Sequence, residues 1–195
     1  MSRLFVVRHG NTFGADEPPR RIGARTDLPL VASGRAQAEA LGAWFRVEGI
    51  RFGRALAGPL RRTVETAELV LGCQARPPAV ETAGWLAEID HGPDEDQPEE
   101  TVVARIGADA LAAWDRNVTP PPGWRVDAAS RIAAWRALVE VPPPDDMLLV
   151  TSNGAARFAL VALGLTPADG VKLRTGAWGA IDPAGPDLLA WDVRP

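Results

Sequence analysis

The chain has 195 residues, of which 46% are hydrophobic and 24% charged, and a formal net charge of −4. That length suits one domain with a sizeable core, and the acidic balance without any Lys/Arg-rich run argues against a nucleic-acid surface. One cysteine, Cys73, and two histidines exclude a disulfide framework and fall short of an ordinary zinc ligand set.

The amino terminus enters an apolar strand at once, without a signal-peptide layout, and no apolar run is long enough to span a bilayer. A soluble, cytoplasmic protein that makes no membrane contact is expected. The first strand is the apolar run Leu4-Phe5-Val6-Val7. It leads into Arg8-His9-Gly10-Asn11-Thr12, placing a cation and an imidazole at a strand end, where open α/β sheets bind ligands. Ser33 reads as the N-cap of a helix whose inner face holds Leu41, Trp44 and Phe45. Residues 53–58 read as a short strand, after which Pro59 opens a helix with Val64, Ala67 and Leu71 inward, ending at Gly72. Arg61 and Arg62 fall in its first turn, where free backbone N–H groups also favour an anion.

Residues 79–85 suggest another strand, and Glu88 to Glu100 an acidic Pro/Gly-rich loop. One helix is then expected with Val103, Ile106, Ala110 and Trp114 on one face. Asp127 is placed to cap the next, which carries Ile132, Trp135 and Leu138. Met147 to Val150 reads as a second buried strand with Thr151-Ser152-Asn153-Gly154 as its exit turn. A helix with Phe158 and Val161 follows and stops at Gly164, and residues 170–193 suggest two or three strands. Strands alternating with helices predict a three-layer α/β/α sandwich around a mostly parallel central sheet.

Four segments carry chemistry together: Arg8 to Thr12, Ala57 to Ala67, Leu86 to Gly92 and Val150 to Arg157. In this order they resemble the histidine phosphatase superfamily, or phosphoglycerate mutase-like family, over most of the chain. Asp27-Leu28-Pro29-Leu30 with Gly34 and Gln37-Ala38 is similar to the segment that usually follows the first signature. Pro59-Leu60-Arg61-Arg62-Thr63 with Thr66-Ala67 is similar to the second, and there the match selects Arg62 rather than Arg61. Glu88 with Asp90 and Gly92 matches the proton-donor segment.

The resemblance implies one phosphoglycerate mutase-like domain over residues 1–195 that hydrolyses a small phosphate monoester. His9 would attack phosphorus to form a phosphohistidine. Arg8 and Arg62 would hold the phosphoryl oxygens, with Asn11, Ser152 and Asn153 as further phosphate contacts, and Glu88 would protonate the leaving oxygen and then activate water. No metal or cofactor is implied, and a homodimer stays open. A phosphomutase, or a weak or inactive phosphoester binder, stays open too, because the family usually has a second histidine where this chain has Ser152. Asn153 or His91 could supply the missing contact, His91 otherwise being a partly exposed loop residue. The acidic stretch Asp94-Glu95-Asp96 with Glu99 and Glu100 reads as a solvated loop before a helix. As a lid it would disfavour polyanions, and its carboxylates could instead hold a divalent ion.

Overall fold

The computed structural model describes residues 2–195. Its central sheet is built from β1 (Leu4–Arg8), β3 (Phe52–Ala57), β4 (Val80–Thr82), β6 (Asp146–Thr151), β7 (Trp178–Asp182) and β8 (Asp187–Val193) in the order β4-β3-β6-β1-β7-β8. The first four in that order run parallel, while β7 is antiparallel to β1 and β8 to β7. A second, two-stranded ribbon pairs β2 (Arg20–Arg21) with β5 (Gln97–Pro98).

Strands of the parallel kind are buried on both faces and so carry continuous apolar runs. In β1, Leu4 and Val6 enter one core while Phe5 and Val7 enter the other. The second core is roofed by α1 (Ala32–Val47) and α2 (Arg61–Leu71), through Ala38, Leu41, Phe45, Ala67 and Val70. The first is roofed by α5 (Ala128–Glu140) and α6 (Asn153–Leu163), with Val102 of α3 (Glu99–Ile106) and Trp114 of α4 (Ala108–Asn117) at its margin. The expected three-layer arrangement is therefore present. Among the described residues no helix is long and apolar enough to cross a membrane.

Several local expectations need correction. Val31, not Ser33, occupies the N-cap position of α1, and the Ser33 hydroxyl instead accepts a hydrogen bond from Asn11 Nδ2. Pro59 and Leu60 precede α2 instead of opening it. The single helix expected around residues 103–114 is two helices, because Gly107 at φ 81° breaks the chain where a side chain would be strained. Val102 is then buried and Val103 exposed; Val161 of α6 likewise faces out. Residues 79–85 yield only the short β4 and a 3₁₀ turn at Gly84–Leu86. Asp127 does cap α5, accepting from the Ser130 amide at 3.1 Å, and Gly164 ends α6 in a left-handed conformation.

Trp135 is the largest fully buried side chain and meets Trp85 edge-on at 5.0 Å. Trp135→Ala should therefore cost about 3–5 kcal/mol. Urea unfolding checks this: the midpoint should fall at unchanged slope, and a loss under about 1 kcal/mol would contradict the packing.

Candidate active site

The carboxyl ends of β1, β6 and β3 lie side by side, and Arg8, His9, Arg62 and Ser152 stand at or just beyond them, with Glu88 arriving from the turn after β4. The His9 amide donates to Thr151 O and the Gly58 amide to Val150 O, each at 3.0 Å, which fixes the three ends in register. Arg8 pairs with Thr151 across β1 and β6. One residue further on each chain stand His9 and Ser152.

His9 is buried, and its Nδ1 lies 2.8 Å from Gly10 O. A carbonyl only accepts, so Nδ1 carries the hydrogen and the lone pair is left on Nε2. Burial, then the nearby Arg62 and Arg8 guanidinium groups, hold the imidazole well below its usual pKa. It is thus neutral and poised as a nucleophile at ordinary pH.

The loop carrying it is packed backbone against backbone. A Cβ on Gly34 would come within 2.1 Å of Asn11 O, and one on Gly10 within 2.3 Å of Gly34 O. Gln37 Oε1 accepts from the Asn11 amide at 2.9 Å, and Thr66 Oγ1 accepts from the Gly10 amide at 3.2 Å. The Asp27-to-Ala38 segment thus shapes the His9 loop.

Arg62 is fully buried at the start of α2 and donates to Thr26 O at 2.6 Å and Gly23 O at 3.0 Å. Its Nε has no partner, and neither has Nε of Arg8, whose Nη1 donates to Leu173 O at 2.7 Å. Ser152 is completely buried at the N-cap position of α6, yet its hydroxyl makes no capping bond and has no partner at all. The amides at the start of α2 are not all free: Asp27 Oδ1 accepts from the Arg61 amide at 2.7 Å. Arg61 itself is exposed.

Glu88 is buried and accepts from the Ile89 amide at 2.9 Å and the Gly154 amide at 3.1 Å. Burial pushes its carboxyl up, but His91, these two amides and Arg62 outweigh it, and the pKa lies below the usual range. His91 acts this way only when charged, and burial depresses its own pKa, so at neutral pH the amides and Arg62 hold the carboxylate ionised. The turn before Glu88 is clamped by side chains that sequence reading missed. Arg131 Nη1 donates to Trp85 O at 2.9 Å and Ala87 O at 2.6 Å, and Thr151 Oγ1 donates to Leu86 O at 2.6 Å. Arg131 has no motif around it, and its only sequence signal is that it lies four residues before the buried Trp135, on the same face of α5.

Arg8, His9, Arg62, Glu88 and Ser152 are brought together. The Asn11 side chain is instead occupied by Thr175 Oγ1 at 2.5 Å and Ser33, and Asn153 Oδ1 by the Leu173 amide at 2.9 Å. His91 is buried rather than partly exposed, edge-on to Trp124 at 4.6 Å with Nδ1 unpartnered. Glu99 and Glu100 are exposed in the first turn of α3, as expected, but the rest of the acidic stretch is tied to protein donors. Asp94 is buried against Arg105 and Trp124 Nε1, Asp96 pairs with Arg20, and Glu99 with Arg21. Glu95 Oε1 accepts from the amides of Gly23 and Arg25, both at 2.9 Å. These carboxylates tie the ribbon of β2 and β5 over the site and are spent on protein donors, which leaves little for a divalent ion.

The depressed pKa of His9 gives a signed stability expectation. The unfolded imidazole takes up a proton near pH 6.5 and the folded one only well below it. Stability should be level above about pH 6.5 as far as His9 is concerned and fall as pH drops beneath it. Urea midpoints of wild type and His9→Gln between pH 7.5 and 5 check this: the decline should be shallower in the variant, and equal slopes would contradict a neutral buried imidazole.

Comparison with known proteins agrees with this geometry. Residues 4–182 match the model of the histidine phosphatase superfamily, branch 1. The uncharacterised phosphatase PhoE of Bacillus subtilis is 27% identical over 83% of this chain and 76% of its own. The probable phosphoglycerate mutase GpmB of Klebsiella pneumoniae is 33% identical over 85% of this chain and 76% of its own. Among solved structures, the α-ribazole phosphatase of Shigella flexneri superposes with a TM-score of 0.74 at 26% identity, covering 98% of this chain and 96% of that one. The mycobacterial glucosyl-3-phosphoglycerate phosphatase, at 21% identity, shares the fold with a TM-score of 0.79 over the full length of both chains. With its signature residues gathered at the carboxyl end of the sheet and the family model matched over nearly its whole length, the chain belongs to the histidine phosphatase superfamily.

Proposed function

We propose that the chain is a phosphatase that hydrolyses a small phosphate monoester through a phosphohistidine on His9. The observation that carries the reading is the set of unpartnered donors around a neutral imidazole: Arg8 Nε, Arg62 Nε and Ser152 Oγ are buried without a partner beside His9. Buried polar atoms are rarely left so, and a tetrahedral oxyanion would satisfy all three.

In the first displacement His9 Nε2 forms a bond to phosphorus as the P–O bond to the leaving group breaks, and the guanidinium groups balance charge on the phosphoryl oxygens. The leaving oxygen needs a proton. Glu88 is ionised while only arginines face it, but a phosphate dianion seated between them reverses the local field and raises its pKa. It therefore takes a proton as substrate binds and passes it to the leaving oxygen. In the second displacement the Glu88 carboxylate accepts a proton from water, whose oxygen attacks phosphorus and breaks the P–N bond. Asn11 and Asn153 hold the loops on either side through the hydrogen bonds described above.

Phosphomutase activity is the second reading, favoured by the GpmB match. It requires the phosphohistidine to outlast release of the first product and meet a second hydroxyl instead of water. Ser152 favours a slower enzyme in either case, since a hydroxyl carries no charge toward the phosphoryl group. Outright loss of a preorganised donor typically costs about 10²–10³ in rate; the Ser152 hydroxyl keeps a hydrogen bond and gives up only the charge.

Two measurements test the proposal. His9→Ala should lose all turnover and all acid-labile protein phosphate while remaining folded; full activity in that variant would reject the assignment. Glu88→Gln should slow alkyl phosphates at least tenfold more than p-nitrophenyl phosphate, whose leaving group needs no proton. Equal losses would assign Glu88 a purely positional part.

A further inference from the structure

A cavity of about 740 Å³ lies not at the chemistry but at the opposite end of the sheet. It opens between the C-terminal ends of α1 and α2, where β3 begins. Arg46 in the last turn of α1, Arg51 just before β3 and Arg76 beyond α2 line it, with Ile50, Cys73 and Gln74 as its remaining principal walls.

Its charge is one-sided. No carboxylate lines it, and among the described residues none of its three guanidinium groups has a carboxylate partner. Arg54 on the neighbouring strand shows the contrast, with both Glu81 oxygens bound at 3.0 and 2.7 Å. In a chain with an excess of acids, three unmatched cations around one hollow are out of pattern. Helix capping does not account for them. Carbonyls at the end of α1 already accept from the Glu48 and Ile50 amides, and those at the end of α2 from the Gly72 and Gln74 amides.

A fourth donor points the same way. Gln74 Oε1 accepts from the Phe52 amide at 3.3 Å, which fixes the orientation of its side-chain amide, and the Nε2 end is buried with no partner. Ile50, buried beside it, supplies an apolar surface.

We propose that this cavity is a second anion site, separate from His9, that binds a compact polyanion carrying two or more phosphate or carboxylate groups. Guanidinium forks suit either group, and the spread of three around the rim favours a ligand with more than one. Such a ligand would grip the near ends of β3 and α2, the two elements whose far ends place Arg62.

Pyrophosphate and citrate serve as probes, one for each acid group, because phosphate also has a place at His9. Amide chemical shifts of the ¹⁵N-labelled chain during titration locate the binding. Shifts at Ile50, Arg51 and Cys73 to Arg76 are expected with at least one probe, whatever happens at His9 to Asn11. The doubly substituted Arg51→Glu/Arg76→Glu chain changes only exposed side chains, and its affinity at this cavity should fall at least tenfold. Arg116→Glu, an exposed change on α4, should leave it unaltered. Shifts confined to the His9 loop, no shifts with either probe, or an equal loss in Arg116→Glu would each overturn the proposal. None of these outcomes depends on turnover, so failure here leaves the phosphatase reading standing, and failure of that reading leaves this site standing.

Discussion

Four guanidinium groups gather around one carboxylate, and much of this structure is arranged to keep them there. Arg8, Arg62, Arg131 and Arg157 all feel the charge of Glu88. Removing a cation from water costs several kcal/mol, recovered only through good hydrogen bonds and counter-charge. Arg157 also has Asp115 at 3.4 Å, but Glu88 cannot balance the others alone, so backbone carbonyls do much of the work. Arg8 uses Leu173 O, Arg62 uses Gly23 O and Thr26 O, Arg131 uses Trp85 O and Ala87 O, and Arg157 uses Trp114 O. The bonds of Arg8 and Arg62 also pin loops, and that of Arg157 holds α4. The site is therefore rigid for the same reason that it is positive, and the positive excess is what makes an anion a natural occupant.

The same arrangement explains the packing at the carboxyl end of the sheet. A neutral imidazole beside two buried cations requires water to be kept away and the loop to be unable to swing. Glycine at positions 10 and 34 allows the His9 loop to touch the first turn of α1, and the acidic residues of the 90–99 segment hold β2 through Arg20 and Arg21 and α3 through Arg105. What composition suggests is a charged, solvated loop is a set of ion pairs holding a cover in place. Exposed pairs such as Arg21–Glu99 contribute little singly, but Asp94 is buried with a guanidinium and an indole as donors and anchors the set.

How far the sequence reveals this depends on which interactions are local. The β1 run, the stop at Gly72, the Asp127 cap and the Gly164 terminus are local signals and are legible. The gathering of Arg8, His9, Arg62 and Glu88 is legible only through the resemblance of four short motifs, taken in order, to the family's own. Burial that depends on distant partners is not legible. Arg131 looks like any helical arginine until the Trp85 and Ala87 carbonyls are brought beneath it. Ser33 looks like a cap until Asn11 claims its hydroxyl, and Asp94 looks solvated until Arg105 and Trp124 close on it. The break at Gly107 was hidden by an apolar period that runs unbroken across it.

Ser152 is where the charge argument and the family pattern meet. A second imidazole at that position could carry a further positive charge toward the phosphoryl group. Here Arg8 and Arg62 already stand beside a buried site, and a charged imidazole there would be disfavoured by burial and by those two cations, as the depression of His9 shows. A serine hydroxyl adds a donor without adding a charge. It is buried and unpartnered at the N-terminus of α6, where the helix dipole already favours an anion. The missing imidazole is thus consistent with a site that draws its positive field from buried arginines and the end of a helix, and asks of residue 152 only a hydrogen bond.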